Sequence, residues 1–122
     1  RRIAADDFVP VSSEKYKENI EVWHGSALDA INSSVLYTYN KKGDAPDNRE
    51  LRYGLIIERE TPQEVVTIDR EGIAQYSMIS FAWKAIQELN TNMQDTKDEV
   101  SFLVLENQLL KRKIKELEER IA

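Results

Sequence analysis

Ser12 stands five residues ahead of Lys17 in the stretch VSSEKYKENI, residues 11–20. A hydroxyl within reach of an amine is a nucleophile with its base, provided the amine can give up its proton. From a reference pKa near 10.4, bringing a lysine down to about 7.5 costs roughly 4 kcal/mol. Burial on folding or assembly, or a neighbouring cation such as Lys15, supplies that work, whereas Glu14 and Glu18 oppose it by stabilising the charged amine. The bond most simply at risk is Val11 to Ser12, because the hydroxyl reaches the carbonyl just before it; a different carbonyl brought close by assembly is the alternative. Taken alone, the pair reads more simply as an N-cap serine and a surface lysine. His24 is the only histidine and follows Trp23, so a packing or capping role outweighs a triad with Ser12 and an aspartate. Asp6 with Asp7, and Glu118 with Glu119, read as solvated charges. With no cysteine and one histidine, neither a disulfide nor a metal site is expected, and no cofactor.

The chain that must position these residues has 122 of them, enough for one modest domain and an appendage. Hydrophobic residues at 41% and charged residues at 32% place it among ordered, helix-rich proteins rather than disordered ones. A net charge of −5 without a basic stripe argues against nucleic acid as a partner. No apolar run is long enough to cross a bilayer, and RRIAADDFVP lacks the apolar core of a signal peptide, so no membrane partner is expected. Opening on arginine, the chain reads as a piece of something longer.

After Pro10, the spacing of Tyr16, Ile20 and Trp23 predicts a short amphipathic helix ending near Gly25. Ser26 then caps a second short helix, with Asp29 at its third position and Leu28 and Ile31 buried. VLYTYN reads as a strand and NKKGDAPDN as the loop after it. Leu51, Tyr53, Leu55 and Ile57 alternate as a second strand, TPQE turns the chain into VVTI, and DREG ends a small antiparallel sheet. The early helices are expected to cover its apolar face.

Beyond residue 75 the period is helical to the end. With Ile79 at position a, the seam runs Ala82, Ile86, Leu89, Met93, Thr96, Val100, Leu103, Asn107, Leu110, Ile114, Leu117 and Ile121, a coiled-coil pattern nearly unbroken over six heptads. Glu106 opposite Lys111, and Lys113 opposite Glu118, are attractive in a parallel assembly. Isoleucine or valine at a with leucine at d leans towards two strands, while Asn107, Met93 and Thr96 blur the preference. The competing reading, a helix folded back on its own sheet, leaves too little chain to cover a seam about 60 Å long. Phe102, Leu105 and Leu109 form a second apolar stripe outside the seam and are expected to contact a neighbouring subunit or an upstream protein.

SSEKYKENI, a short helix, LYTYN, RYGLIIE, VV and IAQYSMISFAWKAIQEL together resemble the C-terminal intramolecular chaperone family of phage endosialidase tailspikes and neck appendages, over roughly residues 12 to 92. That family's domain opens on a Ser-Asp-x-Arg-x-Lys pattern. Here the serine falls on Ser12 and the lysine on Lys17, while Ser13 and Lys15 replace the aspartate and the arginine. Gly54, Leu55 and Ile56 stand at the family's glycine-strand position, followed by a shortened loop through Thr61 and Pro62. The resemblance implies a homotrimer that assists folding of the β-rich fibre preceding it, then releases itself by a Ser12/Lys17 autoproteolytic cut. It also implies work in the host cytoplasm during virion assembly and absence from the mature particle.

The expected architecture is therefore α+β: residues 1–11 ending an upstream fibre or linker, 12–74 a small head of antiparallel sheet and short helices, and 75–122 a long helix in a parallel trimeric coiled coil. The rival is a non-enzymatic trimerisation cap. A third reading is an adaptor that binds through the Phe102, Leu105 and Leu109 stripe.

Overall fold

The computed structural model describes residues 10–122, and its dominant element is one helix, α2, Gln75–Ile121. Its 47 residues include no glycine or proline to interrupt them and extend about 70 Å. The chain before it is a thin head. In order come a 3-10 turn (Glu14–Tyr16), helix α1 (Ala27–Asn32), strand β1 (Tyr37–Tyr39), a 3-10 turn (Pro46–Asn48), strand β2 (Arg52–Gly54) and a 3-10 turn (Gln63–Val65).

Helix α1 starts as its sequence predicts, with the Ser26 hydroxyl accepting from Asp29 N at 3.1 Å. The rest of its first turn is satisfied from α2, where the Glu88 carboxylate accepts from Ser26 Oγ at 2.7 Å, Ala27 N at 2.9 Å and Leu28 N at 3.0 Å. Ala27 and Ala85 are buried where the two helices pack, small side chains allowing close approach. Leu28 and Ile31 are half-buried rather than buried, because α2 covers only one side of this six-residue helix.

The sheet is smaller than the sequence predicts. It has two antiparallel strands, Tyr37 opposite Gly54, Thr38 opposite Tyr53 and Tyr39 opposite Arg52. The connection turns at Gly43, whose φ of 90° favours glycine, and Asn40 Nδ2 ties it by donating to Glu50 O at 3.0 Å. β2 stops at Gly54 because the backbone reverses: Arg59 N and Thr61 Oγ1 both donate to Ile56 O, at 2.9 and 2.8 Å. VVTI is not a strand. Val65 closes a 3-10 turn, and Val66 makes a single bridge to Ile73 around a tight TIDREG loop in which Gly72 N donates to Thr67 Oγ1. Neither strand packs against α1 or α2, so the expected helical cover of the sheet is absent among the described residues.

The helix predicted over Tyr16 to Gly25 is also corrected. Only the 3-10 turn forms; Asn19 then takes a left-handed φ of 54°, and no regular element is formed until α1. A helix that short depends on a packed face. Only Trp23 is anchored, its ring tilted at 56° on Phe81 with centroids 4.6 Å apart and the Lys84 ammonium 5.3 Å away. Gly25 fits under that ring, since a Cβ there would stand 3.2 Å from Trp23 Nε1.

Buried hydrophobic residues among those described are Ala27, Val65 and Ala85. The chain exposes 11269 Å², against about 6,700 Å² for a compact protein of this length. Residues 10–26 and nearly all of α2 are exposed. The head rests on Phe81, Lys84, Ala85 and Glu88, whereas every seam position from Ile79 to Ile121 is exposed, so the folded-back arrangement does not occur.

Candidate active site

Lys17 Nζ donates a hydrogen bond to Ser12 Oγ at 2.7 Å. Local backbone brings the two together. Ser13 and Lys17 are extended on either side of the Glu14–Tyr16 turn, which closes through Tyr16 N donating to Ser13 O and Lys17 N to Glu14 O, each at 3.0 Å. One tight turn reverses the chain and faces residue 12 towards residue 17. An α-helix continuous from residue 12 to residue 17 would instead set those side chains about 140° apart.

A third group reaches the same oxygen from far along the chain. The Tyr76 hydroxyl lies 3.3 Å from Ser12 Oγ, carried on the first turn of α2. Sequence reasoning missed it, because the two residues are 64 positions apart and no spacing rule links them. Glu88 was missed for the same reason, its partners lying about 60 positions upstream.

The surroundings of the pair are open, with Val11, Ser12, Lys17 and Tyr76 all exposed. Among the described residues neither Glu14 nor Glu18 pairs with Lys17. The Lys15 ammonium lies over the Tyr16 ring, 5.1 Å from its centroid. His24 makes no hydrogen bond to Ser12, whose partners among the described residues are Lys17 and Tyr76. Asp6 and Asp7 lie outside the described residues, and Glu118 and Glu119 are exposed near the far end of α2. No group of three potential metal ligands occurs among the described residues, and no described helix is long and apolar enough to cross a membrane.

The residues expected to mediate assembly are well removed from this pair. Val100, Leu103, Asn107 and Leu110 line a shallow groove on α2, with Ile114, Leu117 and Ile121 continuing the row. Val100 lies about 36 Å down the helix from Tyr76. The seam itself begins beside the site, since Ile79 is one turn beyond Tyr76 and both border a groove with Val22, Trp23 and Trp83.

A second polar cluster ties the hairpin together. Tyr37 Oη donates to Glu60 Oε2 at 2.7 Å, Arg59 lies 4.9 Å from the Tyr37 ring centroid, and Val35 N donates to Glu60 O. The tyrosine hydrogen bond holds the Glu60 carboxyl below its usual range, and the same bond pushes the Tyr37 phenol up. Comparison of the chain with family models, with curated proteins and with solved structures finds no match.

Proposed function

We propose that this chain is a self-releasing intramolecular chaperone: it trimerises through α2, assists the folding of a β-rich fibre preceding it, and cuts itself free between Val11 and Ser12. The observation that carries the reading is the 2.7 Å contact between Lys17 Nζ and Ser12 Oγ, a nucleophile and its base already in hydrogen-bond range. The uncovered seam supports the assembly part, since a helix with its leucines and isoleucines half exposed along most of its length needs a partner surface.

In this reading a neutral Lys17 takes the Ser12 proton as Oγ attacks the Val11 carbonyl carbon. The carbon–nitrogen bond breaks, the Ser12 amine receives that proton, and an ester links Val11 to Oγ. Water then hydrolyses the ester, leaving a carboxylate at Val11 and restoring the hydroxyl. Lys17 is exposed in the single chain, and assembly that covers it destabilises its charged form. Cleavage then follows assembly. Release would take place in the host cytoplasm while the particle is being built.

The chain contains the bond in question, so the test needs nothing added. Assembled protein is incubated and analysed by mass spectrometry for a fragment starting at Ser12. The expected result is cleavage in the parent and none in Ser12→Ala, with both trimeric by sedimentation equilibrium. Equal cutting in both would mean an outside protease. A trimeric parent that is never cut would leave the permanent-cap reading, which the open setting of Lys17 favours.

A further inference from the structure

Ser12 Oγ has one proton to give and room to accept two hydrogen bonds. With Lys17 charged, its ammonium donates to that oxygen, and the serine proton is free to point at the Tyr76 hydroxyl 3.3 Å away. With Lys17 neutral, the serine proton must turn to Nζ, and Oγ then needs a donor on its other side. A phenol serves both states, since it accepts in the first and donates in the second. No other described residue hydrogen-bonds to this oxygen.

Resting on the autoproteolytic reading above, we infer that Tyr76 is a further catalytic residue of the Ser12/Lys17 site, its hydroxyl orienting Ser12 Oγ for attack and donating to it when the ester breaks. In that last step water adds to the Val11 acyl carbon and gives a proton to Lys17. The bond from carbon to Oγ breaks and the departing oxygen takes the Tyr76 proton; Lys17 then gives its proton to Oγ as the serine returns one to Tyr76, Oγ being the atom both contact. No oxidant, metal or co-reactant other than water enters. Because Tyr76 rides on the first turn of α2, one turn ahead of seam residue Ile79, packing of the seam sets the position of the donor. The helix that assembles the protein thereby also completes its cutting site.

Tyr76→Phe removes only an exposed oxygen, so fold and assembly are expected to survive, as checked by circular dichroism and sedimentation. Cleavage of the assembled chain is expected to slow about 100-fold, the scale of a lost proton donor. A second readout separates chemistry from packing: a phenol that must keep its proton gives the parent rate a falling alkaline limb, which Tyr76→Phe should lose. Slowing with that limb intact assigns Tyr76 a packing role and overturns the inference. So does a variant that cuts at the parent rate while Ser12→Ala stays whole, which leaves the autoproteolytic reading standing. A parent that is never cut, or a Ser12→Ala chain cut like the parent, overturns both.

Discussion

The ammonium of Lys17 can only donate, so the 2.7 Å bond to Ser12 Oγ in the single chain is a resting arrangement. In the proposed chemistry that proton must first leave, so the reading requires of position 17 the ability to lose it rather than the positive charge. Lys17→Arg tests this directly. Guanidinium keeps the charge and the donor but does not deprotonate near neutral pH, so the variant should assemble normally and stay uncut by mass spectrometry. An arginine chain cut at the parent rate would remove Lys17 from the base role. Spacing alone favours a capping serine and a surface lysine; the resemblance singles the two out, and a local turn brings them into contact, whereas Tyr76 was not legible because a long helix delivers it. The helix expected over Tyr16 to Gly25 does not form, and the tight turn at Glu14–Tyr16 does the positioning.

Among the elements, α1 is joined to α2 by the packing of Ala27 and Ala85 and, on the polar side, by the one carboxylate of Glu88. The Ser26 hydroxyl does most to hold the Glu88 pKa below its ordinary value of 4.5, with the Leu28 and Ala27 amides and Lys84 adding to it and desolvation opposing. A depressed pKa means the charged form is the one the fold favours. Its stabilisation is therefore in place above the ordinary carboxylate range and is lost as pH falls through the lowered folded value. Hydrogen exchange should show the Ala27 and Leu28 amides losing protection on acidification below about 4.5, and Glu88→Gln should flatten that dependence. Protection unchanged by acid would mean the cap is not set by charge. Local rules predicted the Ser26 cap and the long helix because both are decided within a few residues or by a sustained period. They overestimated the sheet, since VVTI and Leu55 to Ile57 have strand-forming side chains but lie where the backbone must reverse to reach α2. The hairpin that does form packs on no helix, and two strands alone are marginal in water.

Taken whole, the molecule is a small head on a helix with an apolar seam along its length and, on the opposite face, a short exposed stripe of Phe102, Leu105 and Leu109. The seam is the face with a register. In the proposed assembly its isoleucines at a and leucines at d have the spacing of knobs-into-holes packing, interrupted by the polar Thr96 and Asn107. Changing Leu110 and Leu117 together to lysine would bury like charges in that contact, so the double variant should sediment as a monomer. The same variant tests the coupling between assembly and cutting. Leu110 lies about 50 Å along the helix from Tyr76, so the lysines cannot touch Ser12, Lys17 or the bond between them. If the seam completes the site, cleavage should stop along with assembly, and raising the protein concentration should not restore it. A monomeric double variant still cut at the parent rate would show the dyad to be self-sufficient, and release would then not report assembly. A variant that remains trimeric would instead refute the heptad register, since no apolar seam in that register tolerates two lysines from each copy.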